Sequence, residues 1–532
     1  MVTAVGNAPS SAKESFYVIP GDVPPHAITR SLQALLPTRH HRIVQHRFTV
    51  LDTFDGRVRR AGARLTRDGV NGASTMVWQP RGGGSHLSVL SSQPASFIWD
   101  LPDGPLKEAL TPVIGVRRLL PQADAEECGT LLDVVDEREK TIARLRIAAG
   151  RARLPMSSSA WQPLPTLVTL SSLRGYEGAY ERLVPLIESR PGVKPCPEGP
   201  HGVMLRELGA PARVGGSLPR VDLDPTVRGD AGARQIQRAL LGLLIANEPG
   251  LRAKLDTEFL HDFRVAIRRT RSLLGQIRHV FRPDVVEHFS TEFSWIGRLT
   301  GPARDLDVFV LSLREHQRDF SVEDMKALMA HLSLEQHQQH QGLVNALDSS
   351  RYRRLLSDWE AFLEQSAPSE AEARNAGRLL AEVVSKRAWR LSRRIVASAG
   401  TIDEHTAATR LHEVRIDAKK LRYLVDASPA FYDASVIERI LSSLRKLQQA
   451  LGELNDAHVQ QKRLMESGHA LGIAGGPPGA LLTLGRLAEQ CHQRYEKLHR
   501  RAGEKLRQFC AQDIQWACRR AFKRGWREAR LR

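Results

Sequence analysis

A segment of eleven residues occurs twice in this chain at a fixed spacing. His261–Arg271 reads His-Asp-Phe-Arg-Val-Ala-Ile-Arg-Arg-Thr-Arg, and His412–Arg422 reads His-Glu-Val-Arg-Ile-Asp-Ala-Lys-Lys-Leu-Arg. A second pair of similar segments, Gly301–Asp305 and Gly452–Asp456, keeps the same offset of 151 residues. Two matches in register, about forty residues apart and without a gap, indicate an internal duplication whose period is too long for a solenoid of short repeats. We therefore expect a fold with two related halves.

The duplicated region has the residue periodicity of helices. After Gly232, apolar residues recur about every 3.6 positions almost throughout. The predicted helical stretches are 233–247, 255–281, 284–300, 303–317, 322–346, 350–364, 370–398, 406–427, 434–466 and 479–524. We therefore predict an all-α C-terminal domain of two pseudosymmetric helical bundles, related by a pseudo-twofold axis.

Each copy of the duplicated segment places its basic residues on one face of a helix. Positions three, four or seven residues apart share a face, because each residue turns the helix by about 100°. The first basic row consists of His261, Arg264, Arg268 and Arg271. The second basic row consists of His412, Arg415, Lys419 and Arg422. Another predicted helix carries a weaker row, Arg387, Arg390 and Arg394.

Two interpretations of these rows stay open. A basic row is usually a solvated helix face with salt bridges one turn away. The sequence, however, shows no acid at i±4 within the rows, and like charges at that spacing repel by a few tenths of a kcal/mol per pair. Residues 225–532 also carry a net charge of +13, out of +18 for the whole chain. A polyanionic partner would offset this repulsion, and guanidinium groups suit phosphate oxygens.

The pattern H-x-x-R-x-x-x-[RK]-[RK]-x-R, followed by G-x-x-[RN]-D, in two copies, resembles the CHAD (conserved-histidine α-helical) domain. The resemblance covers roughly residues 231–510. It implies two helical bundles that form a basic groove, which binds inorganic polyphosphate, and an association with polyphosphate granules. The binding residues that it implies by position are His261, Arg264, Arg268, Arg269, Arg271, His412, Arg415, Lys419, Lys420 and Arg422. We add the third row, Arg387, Arg390 and Arg394, as candidates.

The N-terminal part has a different character. Short segments rich in Val, Thr, Leu and Ile, at 42–51, 74–78, 131–135 and 166–170, predict strands between Gly- and Pro-containing turns. Gln45–Gly62 resembles a segment of the CYTH, or triphosphate-tunnel, family. This resemblance implies an α+β domain with a β-barrel tunnel and helices. The predicted organisation is a degenerate CYTH-like domain at 1–210, a linker at 211–230, a CHAD domain at 231–510 and a basic tail at 511–532.

The CYTH resemblance lacks the acidic residues that would bind a metal ion. Only Glu14 remains where the family has E-x-E-x-K, and the late strand Leu167–Ser171 has no carboxylate. Phosphoryl transfer needs a metal ion to bridge and neutralise the phosphates. We therefore expect a non-catalytic protein that has no metal site and needs no cofactor. Arginines such as Arg64, Arg117, Arg144 and Arg146 could still hold an anion, or be ordinary surface charges.

Two other functions remain as alternatives. The first is a CYTH-type metal-dependent triphosphatase or nucleotidyl cyclase. Release of phosphate in the presence of Mg²⁺, and its loss in Glu14→Ala, would favour this alternative. The second is nonspecific nucleic-acid binding, with DNA as a competitor for polyphosphate. Aromatic residues make up 6 % of the chain and do not alternate with the basic rows, which disfavours binding of single strands by base stacking.

The ends of the chain and its cysteines carry further expectations. No secretory signal is visible, and five cysteines without a C-x-x-C pair fit a reducing compartment, so a cytoplasmic location without membrane insertion is predicted. Residues 511–532 are interpreted either as a frayed basic end or as an extension of the basic track. Truncation after Ala511 is expected to leave the fold intact. The oligomeric state cannot be predicted.

Overall fold

The structure is a computed structural model that describes residues 13–19, 23–70, 73–80, 87–91, 94–155, 160–209, 221–365, 372–399 and 408–525. The chain divides into two units, Met1–Gly215 and Gly216–Arg532. The predicted fold class, a β-sheet domain with helices followed by an all-α domain, is confirmed.

The N-terminal unit is built on one antiparallel sheet. Its strands are β1 (Glu14–Ile19), β2 (Thr38–Asp52), β3 (Ala63–Val70), β4 (Ala73–Pro80), β5 (Leu87–Ser91), β6 (Leu120–Val135), β7 (Thr141–Arg153), β8 (Gln162–Ser172) and β9 (Lys194–Pro195). The helices between them are α1 (Pro25–Gln33), α2 (Arg57–Arg60), α3 (Pro105–Ile114), α4 (Glu177–Glu188) and α5 (Gly199–Glu207). The strand order is β5-β4-β3-β2-β6-β7-β8-β1-β9. All four segments that were predicted as strands lie within β2, β4, β6 and β8.

The two faces of this sheet differ because side chains alternate along each strand. Leu145 and Ile147 of β7 are buried in an apolar core, together with Tyr180 and Leu183 of α4. Arg146, between the two β7 residues, points to the opposite, polar face. The polar face therefore carries the charged side chains that would line the tunnel implied by the CYTH resemblance.

The C-terminal unit is helical. Its helices are α6 (Gly229–Arg252), α7 (Thr257–Gln276), α8 (Pro283–Leu299), α9 (Gly301–Glu315), α10 (Val322–Leu347), α11 (Ser350–Glu364), α12 (Leu380–Ala399), α13 (Ala408–Asp426), α14 (Ala434–Ile473), α15 (Pro478–Phe509) and α16 (Gln512–Arg519), followed by a π-helical segment (Arg520–Gly525). Helix α12 begins at Leu380, so the predicted stretch 370–398 started too early: the described residues before it form turns, held by bonds such as Asn375 N–H to the His279 carbonyl at 2.8 Å. Among the described residues, no helix is long and apolar enough to cross a membrane.

The duplication is visible in the helices. Helices α6 and α7 have their counterparts in α12 and α13, and the counterpart helices contact each other, α6 with α12 and α7 with α13. The third element differs between the copies: α8 and α9 are separate helices, whereas α14 runs unbroken through the equivalent positions. Pro302 stands where the second copy has Glu453, and a proline lacks the N–H needed in a helix interior. One substitution thus explains the break after Leu299.

The C-terminal segment is packed into the domain. Helix α16 and the π-helical segment contact α12 and α14. Ala517, Cys518 and Phe522 are almost completely buried there, and the Phe522 ring meets Tyr432 edge-on at 5.5 Å. The expectation that truncation after Ala511 leaves the fold intact is therefore replaced, because the truncation would expose this core. Arg527, Arg530 and Arg532 of the predicted tail lie outside the described residues.

Candidate anion-binding site

Helix α7 holds the first basic row above a well-packed core. Asp256 caps the helix start, where its side chain accepts hydrogen bonds from the backbone N–H groups of Glu258 and Phe259 at 2.9 and 3.2 Å. Phe263 and Ile267 are buried on one side of the helix, whereas Arg268 and Arg271 are exposed on the other. The amphipathic pattern of the sequence therefore places the basic row at the surface.

Helix α13 holds the second row in the same way. Val414 and Leu421 are buried, His412 is exposed, and Arg415 and Lys419 are half-buried. Because α13 is the counterpart of α7, Arg415 occupies the position of Arg264, 151 residues later. Both copies thus present their basic rows on the face opposite their apolar contacts.

The two rows lie close enough to act on each other. Burial, together with the positive charges of Arg415 and Arg268 and against the effect of Asp456, lowers the pKa of Lys419 to about 8. Burial also lowers the pKa of Arg415, with Arg268 acting in the same direction. Arg268 belongs to the first copy and the other two residues to the second, so the rows form one basic surface, here called the groove.

Several groove cations form no ion pair in the described structure. Among the described residues, no carboxylate forms an ion pair with Arg268, Arg271, Arg415 or Lys419. Elsewhere in the same domain arginines are commonly paired, as Arg351 is with Glu292 at 2.8 Å. The groove therefore gathers four cations that no ion pair neutralises.

One cation of the second row is neutralised, which corrects the sequence analysis. Arg422 Nε lies 3.2 Å from the carboxylate of Asp426, four residues later, and its Nη1 donates to Gln448 Oε1 at 2.8 Å. The statement that no acid stands at i±4 is therefore wrong for this position, because Asp426 lies just beyond the repeated segment. Arg422 is held as part of the groove wall.

Arg264 and the two position-equivalent acids are also held in place. Arg264 Nη1 donates to the Gly297 carbonyl at 3.0 Å and to Thr300 Oγ1 at 2.7 Å. Burial lowers the pKa of Arg264, while the carboxylate of Asp305 opposes this shift. Asp456 has the same opposing effect on Arg415. The repeated Asp of the second motif therefore lies beside the repeated Arg of the first motif in both copies, as an electrostatic partner.

Arg269 lies between the two helices. Its side chain is 9 % exposed, its guanidinium is 5.3 Å from the Tyr423 ring centroid, and its Nη2 is 3.7 Å from the Asp426 carboxylate. The contact joins α7 of the first copy to α13 of the second. Lys420, its counterpart, is half-buried. Arg269 thus contributes to the α7–α13 contact. His261, at the start of the first row, is half-buried.

Sequence analysis missed one cation beside the groove. Arg298, near the end of α8, is exposed, and its positive charge adds to burial in lowering the pKa of Arg271. It stands alone in its segment, without a periodic pattern. Only its place three residues before the Gly301–Asp305 motif could have drawn attention to it.

The third basic row is not brought to the same face. Arg394 forms an ion pair with Asp417 at 2.6 Å. Asp417 lies two residues after Arg415, which places it about 200° around α13. Arg387 instead donates from Nε to Gln276 Oε1 at 2.8 Å. Arg387, Arg390 and Arg394 therefore lie on another side of α13 from the groove.

The polar face of the N-terminal sheet carries its own opposed charges. Arg146 Nη2 lies 2.5 Å from Glu127 Oε2, and Ser171 Oγ donates to Glu14 at 3.2 Å. Burial lowers the pKa of Arg64, against the opposing effect of Glu127. Glu127 was missed because sequence analysis looked for acids only at the two family positions. These arginines are at least partly neutralised by nearby acids.

Other arginines of this unit, considered as anion ligands, have structural contacts. Arg117 is completely buried near Asp55, at 3.6 Å, and Arg144 Nε lies 3.1 Å from Asp133. Asp52, from the CYTH-like segment, accepts backbone hydrogen bonds from Thr53, Val58 and Arg59 and so stabilises the turn into α2.

His337 and His340 lie three residues apart, a spacing that metal ligands on one helix face can have. His340, in the Gln-rich helix α10, contacts the Leu251 carbonyl at 2.9 Å. Within the described parts of the chain, no group of three or more His, Cys, Asp or Glu side chains is arranged to hold a metal ion.

Comparison with known proteins confirms the resemblance for the helical part. Residues 235–465 match the family model of the CHAD domain, so the chain contains a CHAD domain there. Two uncharacterized proteins from two strains of Mycobacterium tuberculosis are 25% identical over 328 residues, which are 59% of this chain and 60% of each relative. The match thus spans about three fifths of the length of these curated relatives.

Solved structures are similar to each part of the chain. The crystal structure of the CHAD domain from the plant Ricinus communis gives a TM-score of 0.47 at 23% identity, and covers 55% of this chain and 96% of that chain. For the N-terminal part, a proposed adenylate cyclase from Bacillus halodurans gives a TM-score of 0.23 at 14% identity, and covers 35% of this chain and 91% of that chain.

Proposed function

We propose that this protein binds inorganic polyphosphate in the groove between α7 and α13 and does not convert it chemically. One observation carries the proposal: four cations from two copies of a duplicated segment, Arg268, Arg271, Arg415 and Lys419, share a surface and form no ion pair in the described structure. A linear anion with a charge on every unit can neutralise such a row, and arginine forms bidentate bonds to phosphate oxygens. The CHAD domain supports this choice of polyanion.

The shape and composition of the groove favour a phosphate chain over a nucleic acid. The half-buried Arg415 and Lys419 are reached by a thin chain more readily than by a wide duplex. No aromatic side chain alternates with the basic positions of α7 and α13 to stack bases, which nonspecific single-strand binders use. The proposal includes a cytoplasmic location with association to polyphosphate granules, which a fluorescent fusion of the full chain would reveal.

The direct test is a titration of the full chain with polyphosphates of defined length, with duplex DNA as competitor. The affinity is expected to rise with chain length until the polymer spans the groove and then to level off. It should also fall steeply with salt, because bound counterions are released, by analogy with nucleic acids. Displacement of long polyphosphate by DNA at equal phosphate concentration would assign the groove to nucleic acid instead.

Polyphosphate binding should depend on pH through Lys419. Its amine has a pKa of about 8 in the free protein, and a bound polyanion stabilises the charged form. The affinity is therefore expected to be constant below about pH 7 and to fall as the pH rises through 8. Lys419→Arg should remove this decline, since an arginine stays protonated. The measurement is the dissociation constant between pH 6.5 and 9.5.

Lys420→Arg is the matched control for the pH experiment, because it makes the same exchange at the neighbouring position. Its affinity should decline with pH as that of the wild type does.

The lowered pKa of Lys419 also affects the stability of the protein without ligand. Between about pH 8 and 10.5 the unfolded chain binds more protons at Lys419, so the free energy of unfolding should rise with pH in this window. If the affinity and the free energy of unfolding of Lys419→Arg depend on pH as those of the wild type do, the pH dependence does not come from Lys419.

A further inference from the structure

Four arginines form a second basic cluster, apart from the groove. Arg278 follows the end of α7, and Arg387, Arg390 and Arg394 lie on α12. Burial lowers the pKa of Arg387, and the positive charges of Arg278, Arg394 and Arg390 lower it further, opposed by Asp417. These neighbours do not include a groove cation. The four residues, here called the α12 cluster, are therefore close enough for their positive charges to act on Arg387.

The α12 cluster is separated from the groove by packed side chains. Arg394 is bound to Asp417, on the side of α13 about 200° from Arg415. The contact between α7 and α13 is filled by Arg269 and the buried Tyr423. A phosphate chain lying in the groove would have to pass around α13 to reach the cluster.

Most of the charge of the α12 cluster is unneutralised. Arg394 has Asp417 as its acidic partner, but Arg278, Arg387 and Arg390 form no ion pair within the described residues. Arg387 is 9 % exposed and is held by the neutral Gln276, whose amide oxygen accepts from Nε at 2.8 Å. A neutral partner fixes the guanidinium without cancelling its charge. Arg278 and Arg390 are both exposed, and their side chains are free to contact a ligand.

The fold does not require these arginines. The counterparts of Arg387, Arg390 and Arg394 in the first copy, 151 residues earlier, are Ile236, Ala239 and Leu243, and the isoleucine and leucine are fully buried. The first copy therefore builds the equivalent helix pair from apolar residues. Burying a guanidinium costs free energy, and like charges three or four residues apart repel. A ligand that binds these charges would offset both costs, and of the two equivalent helices, α6 and α12, only α12 carries the arginines.

We propose that the α12 cluster is a second anion-binding site, which takes a short phosphate chain of the size of tripolyphosphate. Arg387 and Arg394 are seven residues apart, which is about 10 Å along a helix, so the row is short. Guanidinium forks bind phosphate oxygens bidentately. A free tripolyphosphate, the triphosphate of a nucleotide and the end of a longer chain share this chemistry. The inference does not depend on what occupies the groove.

The test compares short and long phosphates on paired variants of the full chain. Arg278→Gln with Arg390→Gln changes two exposed residues of the cluster, and Arg268→Gln with Lys419→Gln changes the groove. The cluster variant should bind tripolyphosphate about tenfold or more weakly, since two charge-assisted contacts are lost. Its affinity for long polyphosphate should change less than that of the groove variant. Calorimetric titration measures both ligands.

Arg439→Gln with Lys446→Gln is the matched control, because these exposed α14 residues remove the same charge. They lie about 160° or more around α14 from Gln448, the residue that contacts the groove. This variant should bind tripolyphosphate as the wild type does. Asp417→Asn should strengthen binding, because it removes the only carboxylate paired with the cluster in the described structure. Circular dichroism verifies that each variant is folded.

The ligand arms distinguish the sources of the phosphate chain. ATP that binds as tightly as tripolyphosphate would identify the triphosphate group as sufficient, and weaker ATP binding would identify the free chain; either result supports the site. The proposal is overturned if the folded cluster variant binds tripolyphosphate as the wild type does. It is also overturned if the groove variant alone loses this ligand, because tripolyphosphate then binds in the groove.

Discussion

Reversing one charge in each basic row, with Arg268→Glu and Lys419→Glu, is expected to lower the affinity for long polyphosphate at least about 100-fold at 0.15 M salt. Hydrogen bonds to charged groups contribute about 1.5–3 kcal/mol each, and 1.4 kcal/mol is a factor of ten in affinity. Two such contacts are lost, and the new carboxylates repel the polymer. Arg268 is exposed and Lys419 half-buried, and neither forms an ion pair in the described structure, so the helices should remain folded.

The salt dependence separates this effect from a general loss of structure. By analogy with single-stranded nucleic acids, each neutralised phosphate contributes about 0.7 to the slope of log affinity against log salt, so losing two contacts should reduce the slope by about 1.4. Arg439→Glu with Lys446→Glu makes the same change of net charge away from the groove. If this control weakens binding as much as the groove variant, net charge and not the groove determines affinity.

Phe522→Ala is expected to destabilise the helical domain by about 3–5 kcal/mol, the usual cost of removing a buried phenylalanine ring. The side chain is 1 % exposed, and its ring packs edge-on against Tyr432, which is itself buried beside Ser385 of α12. Removal leaves a cavity between the C-terminal segment, α12 and the loop before α14. The measurement is urea unfolding of the full chain, followed by the helical circular dichroism signal.

Trp516→Ala is the control for the C-terminal segment. The tryptophan is 54 % exposed on α16, where its contact is the Arg520 guanidinium at 5.4 Å. Its replacement should change the free energy of unfolding by about 0.5 kcal/mol or less, as is usual for surface positions. Equal unfolding midpoints for Phe522→Ala and wild type would mean that the segment does not stabilise the domain, as the truncation expectation had assumed.

The helical architecture could be predicted because the physical signals are local. The period of apolar residues gave the positions of α8, α9, α10 and α11 within a few residues, since an amphipathic helix needs a buried face at a fixed repeat. The 151-residue offset predicted two related helical halves, and in the structure α7 of the first copy contacts α13 of the second. Individual strands such as β7, with Ala148, Ala149 and Gly150 in its middle, gave weak signals because strand preference depends on neighbours across the sheet.

The charges of the candidate site show where local reasoning stopped. The wheel placed Arg264, Arg268 and Arg415 opposite apolar positions, and the structure has them there, with Arg268 exposed and Arg264 and Arg415 half-buried. Arg394 follows the same rule on α12, yet its partner Asp417 lies on the far side of α13. Which rows face each other depends on the packing of three helices, and periodicity within one helix contains no information about that packing.

The sequence by itself determined that this chain has two related helical halves with basic rows, and that its first part is a sheet domain with few family acids. Only the tertiary structure decided which cations are neutralised. It brought Asp426 to Arg269, Gln276 to Arg387 and Arg268 next to Lys419, across positions that the chain separates widely. The physical reason is range: the faces of a helix follow from neighbours within a few residues, whereas charge pairing and burial depend on contacts made only when distant segments pack.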